Sequence, residues 1–377
     1  MRRAPAVLFA LALAGAIGLA AEPDVPKSAM PAANRFEPLR AKLWSKDKAE
    51  RDKAYDAYLA GGADGRKQLI EDLLAVRASA VAACREIYLS EETQKKLLTG
   101  YKKLAEARKE ALRVIFDTTI YPDADHGRAG QPIVDKAVNT VKAYYPLFRK
   151  AFDPVLSRFE RIPRAYERVR EVDALLEKLE VKGIEFRPPL EKLMGCDPEL
   201  VKALPEVREY TDFCERVLRY NRLIRTTATE PERRVVDLTN EYRMQLGVKP
   251  MALSEPLIQA ARKHSQEMQR LGYFGHDSPT PANRSPGQRC QNEGYANYSG
   301  ENCASGANAD GAFNMWYNSS GHHRNMLNPG NNEIGVGLGG PWTEDFGSRP
   351  GLDLDNPPRS LPKPAAPPPA KEAPKKK

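Results

Sequence analysis

The strongest constraint on this chain is a change of texture at "TEPERR", residues 229 to 234. On its N-terminal side, from about Pro26 to Pro231, Lys, Arg, Glu, Ala and Leu dominate, and apolar residues recur at helical spacing. In "GRKQLIEDLLAVRASAVAACREIY" Leu69, Leu73, Val76, Ala80 and Ala83 mark one stripe. In "EVREYTDFCERVLRYNRLI" Val207, Tyr210, Cys214, Val217 and Leu218 mark another. Amphipathic helices of this kind bury their stripes against one another, so residues 26–231 are expected to form an all-α bundle or helical array. "YPDADHGRAGQP", residues 121–132, is the expected loop within it and carries an isolated His126. This half contains no phosphate loop, metal motif or nucleophile elbow, and its charge runs read as the wet faces of helices.

Beyond the break, Asn, Gly, Ser and Tyr become common, and four of the five histidines fall between 264 and 323. "RRVVDLTNEYRMQLGV" places Val235, Leu238, Tyr242 and Leu246 on one helical stripe that stops at Gly247. A second helix follows in "LSEPLIQAARKHSQEMQRLG", with Ser254 as N-cap and Leu257, Ala261, His264, Met268 and Leu271 facing inward. An imidazole on such a stripe is a cleft-wall or core group before it is a ligand. His276 then sits on a turn-rich segment, and Glu301 lies between Gly300 and Asn302, where a carboxylate can orient an imidazole or complete a metal shell. "NADGAFNMWYNSSG" reads as a third helix burying Phe313, Trp316 and Tyr317. It leads into His322-His323, and "NEIGVGLGG" and "WTEDFG" read as two strands.

The ends are not part of either region. Residues 1–21 join Arg2 and Arg3 to an apolar run and a small-residue cleavage site, the pattern of a secretory signal peptide. The run is too short for a membrane span, and no later stretch reaches one. Residues 350–377 hold nine prolines and read as a disordered Pro/Lys-rich tail. The formal net charge of +8 is mostly terminal, so no concentrated basic patch points to nucleic acid.

The segments "AARKHSQEM", "FGHDSP", "GENCASG", "MWYNSSGHHRNMLNPGNNEIGVG" and "WTEDFG", in this order, resemble the CAP superfamily of cysteine-rich secretory, antigen 5 and pathogenesis-related proteins, nearest its bacterial SCP-like extracellular branch. The resemblance covers residues 233–347. It implies an α+β chain whose C-terminal domain is an α-β-α sandwich with a His/acid cleft. Its histidines fall on His276 and His322, and its Gly-Glu-Asn glutamate on Glu301. His264, Ser319 and His323 are secondary cleft candidates, and His323 is expected to be a solvent-facing turn residue. Where animal and plant members have a second Glu shortly after the helix tryptophan, this chain has Asn318 and Ser319. Two imidazoles and one carboxylate suit Zn²⁺ or another divalent metal and are poor in oxygen for Ca²⁺. Cys290 and Cys303 flank the loop entering the glutamate segment. Their pairing would add on the order of 3 kcal/mol. Cys84, Cys196 and Cys214 are expected to be buried thiols, with Cys196–Cys214 a possible second pair.

Two functions compete. In the first, the exported protein is a binding module whose cleft captures an envelope lipid, glycan or peptide, in keeping with the absence of "GxSxG" and "HExxH". In the second it is a protease-like hydrolase. There His276 or His322 acts as base, Glu301 orients it, and a metal-bound water or Ser278 attacks. The missing second acid favours the module.

Overall fold

The computed structural model describes residues 36–361 apart from Lys46 and Tyr88. The expected signal peptide and the end of the Pro/Lys-rich tail lie outside the described residues. In chain order α1 (Glu37–Lys42), α2 (Lys48–Leu59), α3 (Gly62–Cys84), α4 (Glu91–Phe116), α5 (Gln131–Phe159), α6 (Ile162–Lys178), α7 (Leu190–Met194), α8 (Pro198–Leu223) and α9 (Glu230–Gln245) precede the first strand. The described residues fall into two compact units, 36–86 with 161–189, and 87–160 with 190–361. The described helices up to residue 231 are distributed over both units. The texture change at 229–234 lies inside the second.

The first unit is α1, α2, α3 and α6 around Tyr58, Leu69, Leu73, Val172 and Leu176, which are all buried. Asp72, itself buried, accepts from the Tyr58 hydroxyl at 2.7 Å and pairs with Arg40 at 2.7 Å, so its charge is compensated.

In the second unit the chain continues through β1 (Ala252–Leu253), α10 (Glu255–Leu271), a 3₁₀ turn (Pro281–Asn283), α11 (Pro286–Asn292), β2 (Tyr298–Ala304), α12 (Ala309–Tyr317), α13 (Ser320–Leu327), β3 (Glu333–Leu338) and β4 (Trp342–Gly347). The sheet order is β1-β3-β4-β2, with β1 parallel to β3 and the other pairs antiparallel. Successive side chains of β3 point to opposite faces. Toward α10 it presents Gly335 and Gly337. A Cβ built there would come within 2.3 Å of the Ile258 backbone and 2.0 Å of the Arg262 backbone, so only glycine lets the helix lie this close. Toward the other face it presents Ile334 and Val336, which join Val235 and Val236 of α9 and Ala312 and Trp316 of α12 in one buried cluster. The result is helix, sheet, helix. The sequence reading of an α-β-α sandwich in an α+β chain is what the structure contains.

Two readings need correction. First, the tail does not begin at Pro350. Leu354 is buried in the core cluster beside Val217 and Tyr220, Asp355 pairs with Arg216 at 2.8 Å and Arg219 at 2.9 Å, and the Arg225 N–H donates to the Pro358 carbonyl at 2.9 Å. Two leucines, Leu352 and Leu354, amid aspartates and prolines carried too little pattern to be seen. Second, all five cysteines are free and buried, so neither Cys290–Cys303 nor Cys196–Cys214 is bridged. Each cleft thiol faces a carboxylate instead. Cys290 Sγ lies 3.8 Å from Asp345 Oδ2, and Cys303 Sγ lies 3.6 Å from Glu301 Oε1.

Candidate functional site

Glu301 is the centre of the site. It lies on β2, where the strand pairs with β4, and its side chain is 1% exposed. A buried carboxylate must be compensated, and two groups do this. Arg289 of α11 donates Nη2 to Oε2 at 2.5 Å, and its Nη1 donates to the carbonyls of His276 and Asn283 at 3.0 Å each. His276, on the loop after α10, places Nδ1 2.8 Å from Oε1. Burial works against ionisation of Glu301, but the His276 hydrogen bond and the Arg289 charge bring it below the usual carboxylate range. An ionised carboxylate only accepts, so Nδ1 of His276 carries a proton, and in the neutral ring Nε2 keeps the lone pair. The same hydrogen bond pushes the His276 pKa up.

His322, in the first turn of α13, supplies the second ring. Its centroid lies 6.3 Å from that of His276, with planes at 62°. Burial, then the nearby charges of His276 and His126, hold it down at about 4, so it is a neutral imidazole at pH 7. Two asparagines fix its place. Asn302 Nδ2 donates to the His322 carbonyl at 3.2 Å, and Asn325 Nδ2 donates to Asn302 Oδ1 at 3.0 Å and to the Glu301 carbonyl at 3.3 Å. The helix carrying His322 is thereby stitched to the strand carrying Glu301.

The loop between α4 and α5 braces α13 from the other side. The Ser320 N–H donates to the His126 carbonyl at 3.0 Å, the Ser320 hydroxyl donates to Asp123 Oδ1 at 2.7 Å, and Arg324 pairs with Asp123. His126 itself has φ 58°. The loop expected at 121–132 is present, and its place in the fold is against the histidine helix.

The other candidates lie elsewhere. His264 is fully buried behind the cleft, with Nε2 2.9 Å from the Gly275 carbonyl and 3.9 Å from Glu301 Oε1. Ser319 begins α13 as its cap residue and is half-buried. His323, expected at the solvent, is 0% exposed. Its Nε2 lies 2.7 Å from the Tyr242 hydroxyl, the Tyr121 and Tyr317 rings pack around it, and burial lowers its pKa to about 3. One position along a helix turns a side chain by about 100°, which separates a cleft residue from a core residue within the doublet.

Two groups escaped the sequence reading. Arg289 sits on a seven-residue helix too short for periodicity to register. Asp345 stands directly opposite Glu301 in the β2–β4 register. Burial first, and the facing Glu301 charge next, push its carboxyl well up, so it is the protonated member of the pair. The acid absent after Trp316 thus has a neighbour on the strand, and alternation of "WTEDFG" against "GENCA" was the signal available for it.

The next residue on β4, Glu344, is 0% exposed and accepts from the Thr239 hydroxyl at 2.8 Å and Asn302 Nδ2 at 3.1 Å. Burial raises it from 4.5 to about 7. The folded chain keeps this proton where the unfolded chain has lost it. The contribution is intact below the unfolded value and drains away as pH rises through 7. Glu344→Gln, whose amide can serve both partners, is expected to exceed the parent by about 3 kcal/mol at pH 8 and to match it near pH 4. Urea titrations at both pH values measure this, and an equal difference at both would contradict a proton on Glu344.

Three of the site's donor groups, His264, Glu301 and Cys303, bring ligand atoms within 4.8 Å of one another. That cluster is poorly suited to a cation. Arg289 already holds a positive charge on Glu301, and burial with the Glu301 charge pushes the Cys303 thiol far up, away from thiolate. The Nε2 of His276 and the neutral ring of His322 are the better donor pair.

A three-layer domain with a paired-histidine cleft, backed by a carboxylate on the sheet, is the class this geometry defines. Residues 236–342 match the family model for the cysteine-rich secretory protein family, CAP, and this part of the chain is a CAP domain. Among curated proteins, YkwD, an uncharacterized protein of Bacillus subtilis (strain 168), is 40% identical over 120 residues, 30% of this chain and 46% of its own. The uncharacterized membrane protein YlbC of the same organism is 31% identical over 113 residues, 29% of this chain and 32% of its own. The matched stretch thus spans under half of either relative. Two solved structures are similar. An extracellular SCP-domain protein of Bacillus anthracis str. Ames has 31% identity over 32% of this chain and 40% of that one, with a TM-score of 0.30. An outer surface protein of Borrelia burgdorferi has 20% identity over 30% of this chain and 90% of that one, with a TM-score of 0.27. No helix among the described residues is long and apolar enough to cross a membrane.

Proposed function

We propose that this is an exported binding protein whose CAP-domain cleft holds a divalent metal such as Zn²⁺ on His276 and His322 and captures an envelope ligand there. The observation that carries the reading is the 2.8 Å contact between His276 Nδ1 and Glu301, which leaves Nε2 as the nitrogen free for a metal, with the His322 ring centroid 6.3 Å away. Metal-bound histidines almost always donate their other N–H to such a carboxylate. Glu301 is then the orienting group behind the ligand pair. The bound ion would supply a Lewis-acidic position for a ligand oxygen, and the chain's own groups set where that position lies. Export rests on the basic and apolar pattern of residues 1–21.

A hydrolytic reading finds less support. The Ser278 hydroxyl donates to Glu267 at 2.6 Å instead of to a histidine, and Cys303, 3.9 Å from His276 Nδ1, is held as a thiol. Calorimetric titration of the full chain with Zn²⁺ tests the proposal. One ion per chain is expected, with no binding in His276→Ala or His322→Ala and affinity weakened about 10- to 100-fold in Glu301→Gln. A silent titration of the parent protein, with circular dichroism confirming that it is folded, removes the metal.

A further inference from the structure

Outside the CAP domain, α4 and α5 enclose a groove of about 470 Å³ that no function described above uses. The α5 wall is the stripe Tyr144, Leu147, Phe148, Ala151 and Phe152, spaced i, i+3, i+4, i+7 and i+8. A stripe of this spacing normally disappears into a core. Here Phe148 and Phe152 do so, whereas Leu147 is 66% exposed, the most exposed large apolar side chain described. The α4 wall contributes Leu97 and Gly100, and Lys95, Lys96 and Lys103 stand on its rim. Lys96 is paired with Glu92, and Lys95 and Lys103 have no ion pair among the described residues. Gly100 lies in the interior of a 26-residue helix, where glycine is a weak helix former, yet a Cβ there would meet nothing within 4 Å. The chain's own packing gives no reason for it. What it leaves is room on the groove floor.

We infer that this groove binds a single-chain anionic amphiphile, the acyl chain lying along the Leu147–Phe148 wall and the anionic head meeting Lys95 and Lys103. The α5 wall is apolar, and of the charged lining residues on α4 Glu92 is paired with Lys96, which leaves the lysines Lys95 and Lys103 open, so both ends of such a molecule find complementary surface. A slender acyl chain fits the groove's length of roughly 12 to 17 Å along the two helices. The inference stands apart from the metal cleft, because no residue is shared between them.

The test uses the full-length protein and dodecanoate below its micellar range, followed by calorimetry. Saturable one-to-one binding is expected. Gly100→Leu, whose Cβ would meet nothing within 4 Å and whose side chain would occupy the floor, and Leu147→Asp, at an exposed position, should each weaken it at least tenfold. Lys95→Glu with Lys103→Glu should weaken dodecanoate at least tenfold and reverse the preference over dodecyltrimethylammonium. His276→Ala should leave dodecanoate binding unchanged, so failure of the metal reading and failure of this one are separable. Absence of saturable binding, or undiminished binding in folded Gly100→Leu, overturns the proposal. Displacement of dodecanoate by an acidic amphipathic helical peptide that binds more tightly would assign the groove to a protein partner and overturn it as well.

Discussion

Arg289→Met is expected to cost about 3–5 kcal/mol of stability at pH 7, because it leaves the Glu301 carboxylate buried with one partner. In the parent, the guanidinium donates to Glu301 Oε2 at 2.5 Å and also ties down the carbonyls of His276 and Asn283. Methionine fills the volume and makes none of these bonds. The depressed Glu301 pKa means that the parent's ion pair contributes stability above the ordinary carboxylate value, and this is lost as pH falls. In the variant, desolvation is no longer opposed by a fixed positive charge, so Glu301 takes up a proton more readily. The deficit should therefore be largest at pH 7–8 and shrink toward pH 4. Glu301→Gln in the Arg289→Met background should recover much of the loss, a coupling that the two single changes do not predict. Urea unfolding of the four proteins at pH 4.5 and 7.5 measures it. Additive losses that do not vary with pH would mean that Arg289 stabilises by packing alone.

Much of this architecture was legible in the residues before any coordinates. Of the stripe Val235, Leu238, Tyr242 and Leu246 all but the half-buried Leu238 are buried, His264 is on the inward face of α10, and the glycine-rich run after residue 333 is the strand against which that helix lies. What hydrophobic pattern conveys is which apolar face turns inward. It says nothing of polar residues that are buried because they are fully bonded. On α9, Thr239, Asn240 and Arg243 are all 0% exposed. A reader of the sequence places them at the solvent, as polar residues mostly are. His323 was misplaced for the same reason, since its environment comes from Tyr121 and Tyr242, 202 and 81 residues away in the chain. The site itself divides similarly. His276, Glu301 and His322 carry the motif, whereas Arg289, Asn302, Asn325 and Asp345 hold it by contacts that only the β2–β4 register and the position of α13 create.

Arg243 provides the second large effect. Its guanidinium is 0% exposed and meets no carboxylate within hydrogen-bonding distance among the described residues. Its donors go to four carbonyls instead: Lys249 at 2.8 Å, Met326 at 2.6 Å, Asn328 at 3.0 Å and Asn331 at 3.1 Å. Burial without a counter-ion lowers its pKa to about 10, still well above neutrality, so the group is a cation held by dipoles. Met326 and Asn328 belong to the C-terminal end of α13, where unpaired carbonyls point outward and a positive charge is favoured. Arg243→Met would strand these oxygens in a closed interior, and the expected loss is roughly 3–5 kcal/mol. Arg243→Lys retains the charge but lacks the planar fork that reaches both the α13 end and the Lys249 turn, so it should recover only part of the loss. Because α13 carries His322, amide exchange along residues 320–327 should accelerate more than exchange in β3 and β4, and Zn²⁺ affinity should fall with it. If Arg243→Met unfolds within about 1 kcal/mol of the parent, or α13 keeps its protection, the buried cation is not what secures the histidine helix.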